Sequence, residues 1–329
     1  MSQTGQITIY SDARIKAPTG IISGLNRQVW FTSLENNGIG SIDPFSGHIE
    51  LFFDPDKRIQ YPANIYEGLD QCMWFTCVGS NHLVRFNPTH QAMTLYSHPE
   101  MKAPVAIKRS ADGRIWFSCR DSNAIGCIDT SAKEPGSTLQ LFQHAQIMRP
   151  AAIYATADNK LIFLNTMTGA PSIGMLDCSA SHPEKSIVVH PLEHTHLQLR
   201  AFAQDRQGYI WNACFPNMFV KYQPHTFAAH PEFHFYTHAD LHNPDGLYLG
   251  KDETIWFVNS GANSIGRFNP SHATPLASLQ LFSHADMELP FDIKPAADGN
   301  MWFTNKKSNT LGKITVPKGE HRYWEFPGV

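Results

Sequence analysis

The feature that most constrains this chain is a motif that recurs about every 45 residues. Each copy has an aromatic pair, a short polar stretch, then Ile-Gly or a related pair and an apolar strand. The copies are WFTSLENNGIGSI from Trp30, WFTCVGSNHLVRF from Trp74, WFSCRDSNAIGCI from Trp116, IFLNTMTGAPSIGML from Ile162, WNACFPNMFVKY from Trp211, WFVNSGANSIGRF from Trp256 and WFTNKKSNTLGKI from Trp302. Strand-rich repeats of this length cannot bury an apolar face alone and stack radially. The sequence therefore predicts an all-β fold, a seven-bladed β-propeller.

Each copy predicts four short strands. In the sixth copy these are PDGLYLG, TIWFVNS, SIGRFN and the alternating edge strand LQLFSH. Asp-Gly pairs in SADGRIW and AADGNMW predict tight turns, so the first two strands of a blade run antiparallel. We expect the Trp and Phe of each copy to fill the space between blades, where the Gly of Ile-Gly leaves room. The blades are predicted to form one domain over residues 1–329.

The fourth and fifth copies depart from the motif. Ile162 replaces the Trp, and the fifth copy shortens its loop to FPNM. The insertions SASHPEKSIVVHPLEHTH and PHTFAAHPEFHFYTHADLH lengthen the connections of these two copies, and loop variation in a propeller often marks a functional rim. GQITIYSD near the start and HRYWEFPG near the end both resemble a fourth strand. One of them should close the ring, and the sequence leaves open which.

The charge balance argues against nucleic acid as a partner. The chain has 26 basic and 29 acidic residues and a net charge of −3, with no basic stripe for a row of phosphates. No apolar run resembles a secretory signal or approaches the ~18 residues that span a bilayer. We therefore expect a cytoplasmic protein that binds no membrane. The six cysteines lack CxxC spacing and are expected to be free thiols.

The order Trp-Phe-Thr-x, loop, Asn-x-Ile-Gly-Arg-Ile, alternating strand, Pro-x-x-Ile closely resembles the repeat of the streptogramin (virginiamycin B) lyase family, over essentially the whole chain. The resemblance implies a seven-bladed propeller that linearises a cyclic depsipeptide antibiotic by metal-assisted elimination. It also implies that the reactive groups come from the last two blades. They are a Pro-His pair at the start of each inner strand, a Glu two residues before the second His, and an acid just after the final Trp-Phe.

This sequence departs from that reactive set. The matching segments are NPDGL and LPFDI, which place Asp245 and Phe291 where the family has its two histidines. The two acids align with Leu289 and Asn305, and a Tyr of the family's first blade aligns with Thr19. Phenylalanine cannot transfer a proton, and leucine cannot bind a divalent cation. We therefore expect no metal and no cofactor, and only the scaffold and the location of the pocket carry over.

Two series of residues should surround one mouth of the axial channel, because the start of one strand and the end of its antiparallel partner lie together. The first series, which begins the inner strands, is Thr19, Ala63, Val105, Ala151, Arg200, Asp245 and Phe291. The second, which ends the next strands, is Ser33, Cys77, Cys119, Asn165, Cys214, Asn259 and Asn305. We predict that substrate contacts Thr19, Phe291, the neighbouring Asp292 and all of the second series.

Arg200, Asp245 and Arg120 are the candidate catalytic residues. In the functional interpretation, Arg200 or Arg120 binds an enolate, phenolate or carboxylate while Asp245 accepts a proton. In the structural interpretation, Arg200 and Asp245 form an ion pair that joins two irregular blades. The thiols near the mouth are expected to be small apolar fillers, because no histidine follows them at a fixed offset.

Three functions remain open. The favoured one is a lyase-like enzyme that binds a small, largely apolar natural product and promotes elimination or cyclisation, including cycloaddition, through proximity and electrostatics. The second is a non-catalytic propeller that holds a ligand or a protein at the loop-rich rim. The third is a divergent cyclic depsipeptide lyase, in which Asp245 or Glu288 replaces the lost groups. The expected partner is a small-molecule substrate.

Overall fold

The computed structural model describes residues 5–24, 26–227, 229 and 231–316. These residues form seven sheets, each of four antiparallel strands. The prediction of a seven-bladed β-propeller is confirmed. HRYWEFPG, one of the two candidate closing segments, lies outside the described residues.

The first four blades follow one another along the chain. Blade 1 contains β2 (Pro18–Ser23), β3 (Val29–Ser33), β4 (Gly38–Ile42) and β5 (Ile49–Phe53). Blade 2 contains β6 (Pro62–Glu67), β7 (Met73–Cys77), β8 (His82–Asn87) and β9 (Ala92–Tyr96). Blade 3 contains β10 (Pro104–Arg109), β11 (Ile115–Cys119), β12 (Ala124–Ile128) and β13 (Gln140–Gln143). Blade 4 contains β14 (Pro150–Ala155), β15 (Lys160–Asn165), β16 (Ser172–Asp177) and β17 (Val188–Pro191).

The last three blades complete the ring. Blade 5 contains β18 (Gln198–Gln204), β19 (Ile210–Phe215), β20 (Met218–Tyr222) and β21 (His234–Thr237). Blade 6 contains β22 (Pro244–Leu249), β23 (Ile255–Asn259), β24 (Ser264–Phe268) and β25 (Gln280–Ser283). Blade 7 contains β26 (Pro290–Pro295), β27 (Met301–Asn305), β28 (Thr310–Ile314) and, as its outermost strand, β1 (Ile7–Ser11).

Helical structure in the described residues is limited to short 3₁₀ turns: Pro135–Thr138, Pro183–Ser186, Pro224–Thr226, Ser260–Ala262 and Pro275–Ser278. No helix in this part of the chain is long and apolar enough to cross a bilayer.

The N-terminal segment closes the ring. β1 pairs antiparallel with β28, with Ile9 opposite Gly312, and the inner strand β26 of blade 7 contacts β2 of blade 1. Tyr10 stacks on Trp302 with ring centroids 5.0 Å apart. The first and last parts of the described chain therefore share one sheet.

The repeated motif supplies the core of each blade. All six of the motif's tryptophans are at most 2% exposed, and most donate their indole N–H to a polar side chain in the preceding turn. Asp70 accepts the bond from Trp74 and Asp298 accepts it from Trp302. Burial of such a ring removes a large apolar surface from water and stabilises the fold by about 1.5–3 kcal/mol or more. The hydrogen bond avoids the cost of burying the indole N–H without a partner.

Asparagines in a left-handed backbone conformation link successive blades. In five blades, this Asn lies in the turn between the second and third strands, and its Oδ1 accepts a backbone N–H from the loop entering the next inner strand. The bonded pairs are Asn37 with Tyr61, Asn81 with Ala103, Asn123 with Arg149, Asn263 with Leu289 and Asn309 with Ala17. The Asn309 bond joins blade 7 to blade 1, so the ring is closed by side chains as well as by β1.

Candidate active site at the axial channel

Arg200 and Asp245 meet at the mouth where the inner strands begin, which we call the N-face. Arg200 is the third residue of β18 and Asp245 the second of β22, on adjacent blades. Asp245 Oδ2 accepts bonds from Arg200 Nε at 3.0 Å and Nη2 at 2.6 Å. The Arg200 side chain is 32% exposed and that of Asp245 only 8%. The ion pair of the structural interpretation is therefore present, with its guanidinium more exposed than its carboxylate. The catalytic roles of the functional interpretation stay a prediction.

Aromatic rings hold the guanidinium in place. Arg200 Cζ lies 4.6 Å from the ring centroid of Phe215 and 5.9 Å from that of Phe291. The Nζ of Lys306 lies 5.3 Å from the Phe291 ring. The N-face mouth therefore combines fixed positive charge with apolar surface.

Asp292 extends the charged cluster into the channel. Its Oδ1 accepts bonds from Lys294 Nζ at 2.5 Å and from the N–H of Ile293 at 2.9 Å. Burial raises the pKa of Asp245 above its usual value; the positive charge of Arg200 opposes this shift, and the negative charge of Asp292 adds to it. Asp245 is consequently a stronger base than an ordinary aspartate.

Thr19 lies at the N-face with only 3% of its surface exposed. Its hydroxyl is 2.9 Å from Thr32 Oγ1 and donates to the carbonyl of Ala63, also at 2.9 Å. Thr19 therefore joins blade 1 to blade 2, and little of its side chain is open to a ligand.

The second series of predicted substrate-binding residues lies at the predicted strand ends, with no exposed surface: Ser33, Cys77, Cys119, Asn165, Cys214, Asn259 and Asn305. Several of the polar ones bond the loops between blades. Asn165 accepts the N–H of Met148 and donates to the carbonyl of Gln146, and Asn259 makes the same two bonds with His242 and Asp240. Substrate contact by this series stays a prediction, whereas its role in holding loops is visible.

The thiols near the mouth are buried. Burial raises the pKa of Cys119 to about 12 and raises those of Cys77 and Cys214 as well. All six cysteines are free, as the sequence predicts. Since the thiolate is the nucleophilic form, a nucleophilic role for these residues is disfavoured.

Arg120 lies on the surface turn after β11. Its Nε donates to Asp121 Oδ1 at 2.9 Å, and Arg149 Nη1 lies 3.5 Å from the same oxygen. These contacts connect the turn after β11 in blade 3 to the segment that enters the inner strand of blade 4, and none of them involves Arg200 or Asp245.

Sequence reasoning missed a set of residues deeper in the channel. The residue four positions after the Pro, or in blade 5 the Leu, that opens the repeated inner-strand segment is Tyr or Lys in five of the seven blades: Tyr66, Lys108, Tyr154, Tyr248 and Lys294. Comparing the inner strands position by position, and not only at their first residues, is the signal that would have found them.

Two shallow depressions lie away from these charges. One, of about 590 Å³, is lined by residues such as Asn123, Gln143 and Met167 between blades 3 and 4. The other, of about 500 Å³, lies between blades 2 and 3 beside Asp70 and Lys133. Neither gathers buried charges from several blades, so we place the candidate site in the channel.

The residues present do not fit the divalent metal that the family resemblance implies. Among the described residues, no three His, Cys, Asp or Glu side chains group closely enough to hold a metal ion. At the aligned positions, Leu289 is apolar and 37% exposed. Asn305 Nδ2 donates to Thr310 Oγ1. A cage of hard oxygen ligands is therefore missing from this part of the channel.

The fold and the mouth define a class: a seven-bladed propeller with charged and aromatic side chains gathered at one end of its channel. The model of the virginiamycin B lyase family matches residues 1–222, and the chain belongs to this family. The family and the fold support a lyase or a ligand-binding role. No curated protein matches the chain.

Several solved structures share the architecture. A streptogramin B lyase superposes with a TM-score of 0.79 at 22% identity, covering 95% of this chain and 98% of that one. A catalytically inactive variant of virginiamycin B lyase from Staphylococcus aureus, solved with quinupristin, gives 0.77 at 21% identity over 95% and 99%. Hydrazine synthase from Kuenenia stuttgartiensis gives 0.77 at 14% identity over 93% and 97%. At these identities the similarity shows the fold alone.

Proposed function

We propose that this chain is a lyase-type enzyme that binds a small, largely apolar molecule at the N-face mouth and promotes its elimination or cyclisation. The observation that carries the proposal is the ion pair between Arg200 and Asp245 on two adjacent blades, with the Arg200 guanidinium beside the rings of Phe215 and Phe291. The reaction needs proton transfer and charge stabilisation, and no step of it requires the family's metal.

Asp245 is the proposed proton acceptor. Both guanidinium bonds converge on Oδ2, so Oδ1 receives no bond from Arg200. Because burial raises the pKa of Asp245, the carboxylate gains driving force as a base. A positioned general base contributes typically about 10²–10⁴-fold in rate.

Arg200 is the proposed stabiliser of negative charge. When a proton leaves a carbon next to a carbonyl, charge develops on oxygen, and a fixed guanidinium stabilises it without reorganisation. Phe215 and Phe291 keep the cation in position and offer apolar surface to the substrate. Such a group contributes on the order of 10²–10³-fold.

The test begins with a thermal-shift screen of apolar natural products, followed by mass spectrometry of the hits. Elimination of water lowers the mass by about 18 Da, whereas cyclisation changes retention without changing mass. We expect Asp245→Asn to bind the hit with an unchanged Kd and to lower kcat at least about 100-fold. We expect Arg200→Ala to lower kcat/KM by a similar factor.

The matched control is a second buried ion pair in blade 6. Arg267 Nη1 lies 3.0 Å from Asp252 Oδ2, with both side chains largely buried. Arg267 is on β24 and Asp252 is in the turn that joins β22 to β23, at the end of the blade opposite the N-face. Arg267→Ala therefore reproduces the loss of an ion pair without touching the channel. If it lowers turnover as much as Arg200→Ala does, the assignment is wrong.

A non-catalytic ligand-binding role is the second candidate. It is favoured by the mutual neutralisation of Arg200 and Asp245 and by the presence of Leu289, Phe291 and Asn305 at the family's reactive positions. Saturable binding of hits without any change of mass or retention would select it. Linearisation of quinupristin would select the divergent depsipeptide lyase instead.

A further inference from the structure

The half of the channel beyond Asp292 contains five side chains at equivalent positions of five inner strands: Tyr66, Lys108, Tyr154, Tyr248 and Lys294. They lie about three residues, or roughly 10 Å, further along their strands than the N-face residues. The equivalent residues of the other two blades are Ile22 and Ala203. We call these five side chains the channel ring.

Members of the channel ring approach each other across the axis. The charges of Lys294 and Asp292 in blade 7 act on the amine of Lys108 in blade 3. Tyr66 in blade 2 acts on the hydroxyl groups of both Tyr154 and Tyr248. Blades 3 and 7 are not neighbours, nor are blades 2 and 4, so these electrostatic interactions act across the axial channel.

The two lysines of the ring differ in their partners. Lys294 Nζ is paired with Asp292 at 2.5 Å and also donates to the carbonyl of Ile293 at 3.0 Å. Lys108 Nζ lies 4.9 Å above the ring centroid of Tyr66, and within the described chain it makes no hydrogen bond or ion pair. Lys108, Lys294 and Asp292 are two amines and one carboxylate, so this group carries one unmatched positive charge. The other charges that act on Tyr66, those of Arg109 and Glu67, are of opposite sign.

Around the tyrosines of the channel ring there is open space in the channel, and within the described part of the chain two of their hydroxyl groups are free to donate hydrogen bonds. Tyr248 is 40% exposed, although it projects from an inner strand, which shows that the channel is not filled at this level. The hydroxyl of Tyr154 donates to Gln204 Oε1 at 3.2 Å. In the described residues the hydroxyls of Tyr66 and Tyr248 have no such partner.

We propose that this half of the channel is a second binding site, which takes a small organic anion with a planar apolar body. Its carboxylate pairs with the Lys108 amine, and its body lies against the rings of Tyr66 and Tyr248. The anion supplies the missing counter-charge, and flat aromatic walls favour a planar molecule. The site does not depend on the chemistry at the N-face mouth.

The probe is 2-naphthoate, titrated into the full-length protein by calorimetry, with the neutral 2-naphthamide as its isostere. We expect saturable naphthoate binding at pH 7, at least ten times tighter than naphthamide binding. Lys108→Met should weaken naphthoate binding at least tenfold and leave naphthamide binding unchanged. Lys108→Arg should stay within about threefold of the original, because it keeps the charge.

The matched control is Lys221→Met. Lys221 Nζ also lies over a tyrosine, 4.0 Å from the Tyr209 centroid, but it belongs to the third strand of blade 5 and lies away from the axis. It should not change naphthoate binding. Circular dichroism of every variant separates lost binding from lost fold.

The pH dependence gives an independent readout. The titratable groups facing Lys108 are Lys294, Asp292 and Tyr66. Naphthoate binding should weaken above about pH 8, where Lys108 loses its proton. Absence of saturable naphthoate binding, equal affinity for naphthoate and naphthamide, or unchanged affinity in a folded Lys108→Met variant would each overturn the proposal.

Discussion

At the scale of single residues, Lys108 stands out because its amine, which as a charged group favours water, lies inside the channel near a second amine, that of Lys294. Burial, and after it the nearby charge of Lys294, lower the pKa of this lysine from 10.5 to about 8, and the charge of Asp292 opposes the shift. The residue keeps some accessible surface, and this exposure moderates the cost of the charge. A charge kept in such a place costs stability and points to a role in binding.

Lys108→Met should therefore stabilise the protein at pH 7. Below pH 8 the folded state bears the full cost of the charged amine; between pH 8 and 10.5 the folded chain loses this proton before the unfolded chain does, and the cost fades. We expect a gain of about 1–2 kcal/mol in the free energy of unfolding at pH 7. Urea unfolding across this pH range measures it.

The control for this effect is Lys221→Met, which removes a lysine stacked on Tyr209 outside the channel. It should give no gain that fades between pH 8 and 10.5. A Lys108→Met variant that is less stable than the parent at pH 7 would contradict the account of the buried charge.

At the scale of the blade, a glycine and a phenylalanine on neighbouring strands form the tightest contact. In blades 1, 3, 4, 6 and 7, the Gly of the third strand lies opposite the Phe of the second strand. A Cβ added to Gly126 would lie 2.2 Å from Phe117 Cζ, and one added to Gly174 would lie 2.1 Å from Phe163 Cζ. The glycine is required by the ring across the strand pair.

Gly126→Ala should destabilise the protein by about 1–3 kcal/mol, because the added methyl group forces the Phe117 ring out of a filled space. Phe117→Leu alone leaves a small cavity and also destabilises. The double variant should be more stable than the sum of the two losses predicts, by at least about 1 kcal/mol. Chemical denaturation of all four proteins measures this coupling, and strict additivity would contradict the proposed contact.

At the scale of the whole molecule, stability depends on closing the ring. Blade 7 takes its outer strand from the N-terminal segment. Two further contacts join it to blade 1: Asn309 Oδ1 accepts the N–H of Ala17 at 2.7 Å, and Thr304 Oγ1 donates to the carbonyl of Thr19 at 2.8 Å. The added strand covers β28, so blade 7 ends in a fourth outer strand as the other six blades do.

Deletion of residues 1–11 should lower Tm by roughly 5–10 °C, because it removes β1 and leaves β28 as an exposed edge. The free edge should also promote self-association, which light scattering detects. A synthetic GQITIYSD peptide added in trans should restore part of the lost Tm, while a scrambled peptide of the same composition should not. An unchanged Tm in the deletion variant would show that β1 does not contribute to closure.

The sequence predicted the fold more completely than it predicted the side chains that line the channel. Strand number, blade number and the buried Trp and Phe follow from signals that lie within each copy, such as the Asp-Gly turn or the alternation around Trp116. The Arg200–Asp245 contact was also predictable, because both residues begin inner strands of adjacent blades. The closeness of Lys108 to Lys294 was not predictable, because it depends on how wide the channel is once the ring of blades has closed.

The sequence by itself therefore determined the propeller, because each repeat carries its own turns, core residues and glycine, and repetition converts these local preferences into a global shape. Only the tertiary structure decided which polar side chains reach the channel. In every blade the register shifts within the inner strand, between Pro18 and Ile21 in blade 1 for example. Such a bulge changes the direction of the side chains beside it. Simple alternation therefore cannot show that Ser33 and Asn259 are buried or that Lys108 faces Lys294.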